Sequence, residues 1–313
     1  REAGVVPHTV ETSPQELRAD LDRLIEIQGE PFGGTSIYAQ YRVFQLARQA
    51  GIKVMLDGQG ADELFAGYRY YLPDRFGGLL ASGRFVTAAR LLSALSDLPA
   101  ASRAEVAVNG LQRVVPCASR TFLRGLAGRP PVPEWLDRRW LDARDVVLTD
   151  GARTDRANLK AHRVASVRGN LRTLLRHEDR NSMASSIESR VPFLTPALAE
   201  FAAGMPDDYL IAPDGTGKLV LKRSLRGLVP DPILDRRDKI GFATPEAKWL
   251  RTLAPWVEDV FDSDAARTVG PLRVDRARRC WQQMRDDRRP FNPVAWRWLN
   301  LIRWVDRFDV ALD

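Results

Sequence analysis

The sequence predicts an α/β fold, and three observations in its first quarter predict it: two amphipathic helical stretches, a short apolar run of strand composition, and a glycine turn where that run ends. Residues 14–30 read as the first helix. Ser13 stands as N-cap, Pro14 opens the first turn, and Leu17, Leu21, Leu24 and Ile25 form an apolar stripe at helical spacing. Pro31 to Thr35 break it. Ser36 to Ala50 make a second helix, closed by Gly51 at the C-terminal cap. Ile52 to Leu56 then fit a buried parallel strand, and a ligand is expected where such a strand ends.

With 313 residues and 44% hydrophobic composition the chain buries a substantial core, as one large domain or two closely packed lobes. The α/β portion is placed at about 1–75 and a mostly helical portion at about 76–313. Within the latter, 76–170 is helical and irregular with PPVPEW as a loop. A helix is expected at 218–228, and 245–310 forms a tryptophan- and arginine-rich helical tail. Of eight tryptophans most stand at or after Trp249, where helix packing explains them better than base stacking. The chain opens on Arg1 in what reads as the middle of a domain, so an upstream truncation is expected.

No run approaches the roughly 18 apolar residues of a spanning helix, and no signal peptide stands at the start, so a cytoplasmic protein without a membrane partner is expected. Two cysteines, Cys117 and Cys280, are too few and too far apart for a disulfide framework or zinc site, and read as core thiols. The net charge of +7 is spread among 40 acidic residues with no nucleic-acid signature, which argues against that partner class. Only six of the 47 basic residues are lysine, and four of these fall between 218 and 248. In a chain that defaults to arginine, such a cluster marks a place where a compact ammonium is needed.

The sharpest segment is KVMLDGQGADELFAGYRYYLP, residues 53–73. Gly58 and Gly60 let the backbone turn tightly and approach a ligand without Cβ obstruction. Asp62 and Glu63 follow at a helix start, where they either complement the helix dipole or supply a hard oxygen ligand for Mg²⁺ against nucleotide phosphates.

LDGQGADELFAGY resembles the SGEGADE-type segment of the synthetase domain of glutamine-dependent asparagine synthetases. LLRHEDRNSMASSIESRVPFL (174–194), RRDKIGFATP (236–245) and EPFGGTSIYAQY (30–41) are similar to further segments of that family, and the 57–63 turn, the middle signature and the lysine loop follow in the family's order. The resemblance implies parallel strands sandwiched by helices, of the adenine-nucleotide α-hydrolase-like, ATP-pyrophosphatase type. It implies ATP and Mg²⁺, with aspartate and glutamine-derived ammonia as substrates and asparagine, AMP and pyrophosphate as products. It also implies an N-terminal glutaminase domain in the parent protein, and a homodimer is compatible with it.

Residue by residue, Asp62 matches the family's Mg²⁺-binding aspartate, and Asp57, Gly58 and Gly60 match the strand-end loop facing nucleotide and activated substrate. Lys239 matches a lysine that neutralises phosphate charge. Glu178, Asp179, Arg180 and Arg190 line up with the middle signature, where they shape the substrate pocket or make scaffold ion pairs. Thr35 and Ser36 are either hydrogen-bond donors to phosphate or substrate, or helix caps. His177 receives no role.

Two departures stand out. The family's SGG-x-DS pyrophosphate loop and its N-terminal cysteine nucleophile occur nowhere in the chain, so this chain alone is expected to bind ATP poorly. Gln59 stands where the better-known synthetases carry glutamate, and Asp57 where they carry serine. An amide is no general base, so another group, Glu178, takes that role, or the acceptor differs. The alternatives are an amidotransferase or cyclase acting on a sugar acid, peptide or β-lactam precursor, and a non-catalytic homologue.

Overall fold

The computed structural model describes residues 4–95, 102–114, 132–146, 148, 158–236 and 243–311. Helix α1 (Pro14–Gln28) forms for the reasons its sequence gives. The Ser13 hydroxyl accepts from the Glu16 N–H while the Glu16 carboxylate accepts from the Ser13 N–H, a reciprocal capping box. Gly29 then ends the helix in the left-handed region at φ 66°, donating to the Ile25 carbonyl. Helix α2 (Ser36–Gln49) follows, and strand β1 is Val54–Leu56.

The buried stripe of α1 packs with Tyr38 and Tyr41 of α2 against the C-terminal helices, so the two ends of the chain build one core. Trp249, Trp256, Trp281, Trp296 and Trp298 all lie in that core, in keeping with a packing role. A second core gathers Leu64 to Leu72 with α4 (Leu72–Ala81), α5 (Phe85–Ala94), α6 (Arg103–Val114) and α7 (Leu159–Ser166). The short helix α3 (Ala61–Leu64) lies between the strand and this second core. Cys280 is a buried thiol, and Cys117 lies outside the described residues. Among the described residues no helix is long and apolar enough to cross a membrane.

The parallel sheet expected from sequence is present in small form. β1 pairs in parallel with β2 (Glu188–Arg190) in the register Val54↔Glu188, Met55↔Ser189, Leu56↔Arg190. The α/β pairing therefore reaches well beyond residue 75. Met55 and Ile187 pack on Phe44 and Ala47 of α2, which covers one face. The expectation of a strand buried on both sides is corrected: Val54 and Leu56 are 41% and 73% exposed, because strand alternation turns them to the opposite face.

Helix α8 (Arg172–Ala184) crosses between these layers and carries a buried polar net. His177 Nδ1 meets Gln28 Oε1 at 2.6 Å, Gln28 Nε2 donates to Asn181 Oδ1 at 2.8 Å, and Asn181 Nδ2 donates to Gln40 Oε1 at 3.0 Å. Because the Gln28 oxygen only accepts, His177 Nδ1 carries the proton. His177 is thus a scaffold residue. Burial, with the charges of Arg176 and Arg180, holds its imidazole down at about 4. The unfolded chain binds the extra proton between its ordinary pKa near 6.5 and 4, so stability falls as pH drops through that window. Denaturant unfolding at pH 7 and pH 4 should show the native chain losing about 3 kcal/mol more than His177→Gln does.

Candidate functional site

The site begins where β1 ends. The Asp57 N–H donates to the Arg190 carbonyl at 2.8 Å, which extends the β1–β2 ladder by one rung and delivers both strands' C-terminal ends to the same place. Gly58 is exposed, Gln59 half-buried and Gly60 buried, and Gly60 turns the chain into α3 with φ 86°. A Cβ at Gly60 would lie 2.1 Å from Leu194 Cδ2, so the first glycine turn is seated directly on the VPFL end of the middle signature.

Glu178 comes to this turn from α8. Ser189 of β2, on the covered face of the sheet, donates its hydroxyl to Glu178 Oε1. Glu178 is 2% exposed, and burial pushes its carboxyl above the ordinary range. The Ser189 hydroxyl and the Gln59 amide pull it back, while the Asp57 charge pushes further up. Asp57 is itself raised by burial, against the N–H groups of Gln59 and Gly58. Asp57, Gln59 and Glu178 therefore converge, bringing two carboxyls with elevated pKa to one turn.

One turn further on, Asp62 pairs with Lys218 at 3.1 Å, both half-buried. Lys218 is held there by an unusual backbone: it sits in the left-handed region at φ 56°, with its N–H on the Phe65 carbonyl, just before α9 (Leu219–Ser224). Close glycines make the approach. A Cβ on Gly67 would stand 1.9 Å from Asp62 Oδ1, and one on Gly217 would stand 2.5 Å from the Ala66 carbonyl. Beside the pair opens a cavity of about 950 Å³ lined by Tyr68, Arg69, Lys222 and Arg226 among others. Burial lowers the pKa of the Lys222 ammonium. The neighbouring Glu63 is buried and accepts from the Tyr68 hydroxyl at 2.9 Å.

The side chains of the other candidates make different contacts. Arg190 is exposed on the open face of the sheet and pairs with Glu188 at 2.8 Å. Arg180, two positions from Glu178 on α8 and so turned away from it, lies against Gly29 at the end of α1. Asp179 is exposed. Thr35 occupies the N-cap position of α2 without a capping bond from its side chain, which instead meets Glu246 and Thr244. Ser36 is half-buried beside it. Lys239 lies outside the described residues. Lys218, Ser189 and Glu246 received no individual role from the sequence; the lysine cluster was the signal that pointed toward the first.

The family model described as asparagine synthase matches residues 1–306. The chain belongs to the asparagine synthase family. Asparagine synthetase [glutamine-hydrolyzing] 1 of Bacillus subtilis is 27% identical over 256 residues, covering 79% of this chain and 39% of that protein. A putative asparagine synthetase [glutamine-hydrolyzing] of Mycobacterium tuberculosis is 27% identical over 317 aligned positions, 87% of this chain and 44% of that protein. This member of the asparagine synthase family thus spans less than half the length of either relative.

Proposed function

We propose that the chain is the amide-forming part of an ATP-dependent, asparagine-synthetase-type ligase. In this reading a carboxylate is activated by ATP as an acyl-adenylate and then attacked by ammonia, yielding asparagine, AMP and pyrophosphate when the carboxylate is that of aspartate. The observation that carries the reading is the meeting of Asp57, Gln59 and Glu178 at the shared end of two parallel strands, with the Asp62–Lys218 pair one turn away.

The residues present fit a Mg–nucleotide. Asp62 offers a half-exposed carboxylate already paired with a cation, and Lys218 and Lys222 stand one helical turn apart at the cavity. A Mg²⁺ ion of this kind is carried in on phosphates and held by one or two carboxylates. Asp62 would hold it, and Lys218, released from Asp62, would neutralise phosphate charge together with Lys239. Ionised Glu178, oriented by Ser189, takes the proton of the attacking amine, a task the Gln59 amide cannot perform. Gln59 instead stands beside Glu178, where its amide favours the ionised carboxylate.

The open, apolar face of β1 and the greater length of the relatives support a larger parallel sheet of the ATP-pyrophosphatase type in the whole protein, with a glutaminase domain supplying ammonia. Gln59 favours a second reading, in which the same chemistry acts on a larger carboxylate such as a sugar acid.

Full-length protein given MgATP, glutamine and aspartate should release AMP and form asparagine. AMP release only with a larger carboxylate would select the second reading, and none with any carboxylate would reject both. In the same assay Asp62→Asn should cut AMP release by about 100-fold or more, with melting nearly unchanged because a half-exposed ion pair contributes only about 0–1 kcal/mol. Equal loss of activity and stability would reject the metal role.

A further inference from the structure

Helix α3 carries Asp62, yet at four residues it is too short to hold its own shape. Its carbonyls show what holds it. The Ala61 and Asp62 oxygens accept from the N–H groups of Phe65 and Gly67, at 3.2 and 2.8 Å, and the Phe65 oxygen accepts from the Lys218 N–H at 3.0 Å. The two oxygens between turn to one side chain far along the sequence. Arg163 of α7 donates Nε to the Glu63 carbonyl at 3.4 Å and Nη2 to the Leu64 carbonyl. The same Nη2 donates to the Ala202 carbonyl at 2.7 Å, within the helix Pro196–Gly204. Every carbonyl from Ala61 to Phe65 thereby has a donor, as backbone oxygens in a core require.

Arg163 is 3% exposed, and its three hydrogen bonds all go to backbone oxygens. Its Nη1 is sealed from solvent without a partner among the described residues, and burial lowers the pKa of the guanidinium. A cation desolvated in this way costs more than an apolar side chain of like size would. What it supplies is a rigid planar fork that spans two successive carbonyls at a helix end, where positive charge is also favoured.

The Asp62 carboxylate follows from this arrangement. A Cβ on Gly67 would lie 1.9 Å from Asp62 Oδ1, and Lys218 Nζ meets the same oxygen at 3.1 Å. Both approaches are set by the course of the 61–67 backbone, which Arg163 grips at its middle.

We propose that Arg163 is a positioning residue for Asp62: its guanidinium fastens the C-terminal carbonyls of α3 to α7 and to the helix Pro196–Gly204, and so aims the carboxylate. The consequence for Mg²⁺ rests on the function proposed above, whereas the aiming of Asp62 at Lys218 does not.

Two measurements on the full-length protein test the aiming without turnover. In Arg163→Met the amides of Leu64, Phe65 and Gly67 should exchange hydrogen about tenfold faster or more, while those of Leu21 in α1 and Leu79 in α4 hold. Acylation of Lys218 by an amine-reactive reagent should quicken about threefold in Arg163→Met, as it does in Asp62→Asn, with Lys53 and Lys248 as references. Arg163→Lys, which keeps a cation and can serve one carbonyl, should show smaller changes in the same direction and melt near the native protein; it decides the comparison if Arg163→Met does not fold. In the AMP-release assay the Mg²⁺ concentration giving half the maximal rate should rise about tenfold in Arg163→Met, with kcat at saturating Mg²⁺ within about threefold and part of the shift recovered in Arg163→Lys. A side chain that merely fills the core would lower kcat at every Mg²⁺ concentration. Unchanged exchange at 64–67, equal acceleration at Leu79, an unchanged Lys218 rate, or an Arg163→Lys protein that fails to fold overturns the proposal. Absence of AMP release from the native full-length protein would instead reject the proposed function and leave the exchange and labelling results to decide the role of Arg163.

Discussion

Glu178→Gln in the full-length protein should reduce amide formation by about 10²–10⁴-fold, the range expected when a positioned base is removed, while single-turnover release of pyrophosphate falls less. The two steps separate because activating the carboxylate requires no proton acceptor, whereas the attacking amine must lose a proton. Stability should hold or rise. The native side chain is a carboxyl raised by burial and by the neighbouring Asp57, so the amide relieves a desolvated charge and still accepts from Ser189. The pH dependence has a definite sign. A base works when ionised, so amide formation should fall as pH drops through the Glu178 pKa. That acid limb should lie above the ordinary carboxylate range because burial raises Glu178. Asp57→Asn removes the nearby negative charge and should move the limb to lower pH. A limb unmoved by Asp57→Asn, or Glu178→Gln reducing single-turnover pyrophosphate release and amide formation equally, would exclude Glu178 as the base.

The parts of this molecule that were legible in sequence are those set by local chemistry. Ser13, Glu16 and Gly29 delimit α1 through bonds that close within a few residues, and the capping and the stripe of α1 follow directly. β2 was not legible. It has only three residues, two of them charged and facing outward, and its existence depends on pairing with a strand more than 130 positions earlier. The same holds for the site. Asp57, Gln59 and Glu178 were named from the resemblance, but only the fold shows that Ser189 orients Glu178 and that Lys218 reaches Asp62. Thr35 carried the right residue type for ligand binding, yet a long-range partner engages it: Glu246 takes the Thr35 donors. Polar side chains advertise capacity for hydrogen bonding, and which partner fills it is decided by tertiary packing.

Gly60→Ala should be among the most destabilising single substitutions in the described part of the chain, at about 2–5 kcal/mol, or a melting shift on the order of 5–15 °C. Two costs combine. Gly60 sits at φ 86°, where a Cβ strains the backbone, and that Cβ would lie 2.1 Å from Leu194 Cδ2 and 2.7 Å from Leu194 Cγ. Gly51 separates the two. It has φ 76° with nothing within 4 Å of its added Cβ, so Gly51→Ala incurs the backbone strain alone and should cost about 1–2 kcal/mol. The difference between the two variants is the price of pushing the turn off Leu194. Leu194→Ala should recover that difference in the double variant, as a coupling of roughly 1–3 kcal/mol in a double-mutant cycle. Coupling of this kind gives a physical reason why the glycine turn and the VPFL segment occur together in the sequence: Leu194 fixes the height of Gly60, Gly60 fixes the start of α3, and α3 carries Asp62 toward Lys218. Independent, additive effects of Gly60→Ala and Leu194→Ala would break that chain at its first link.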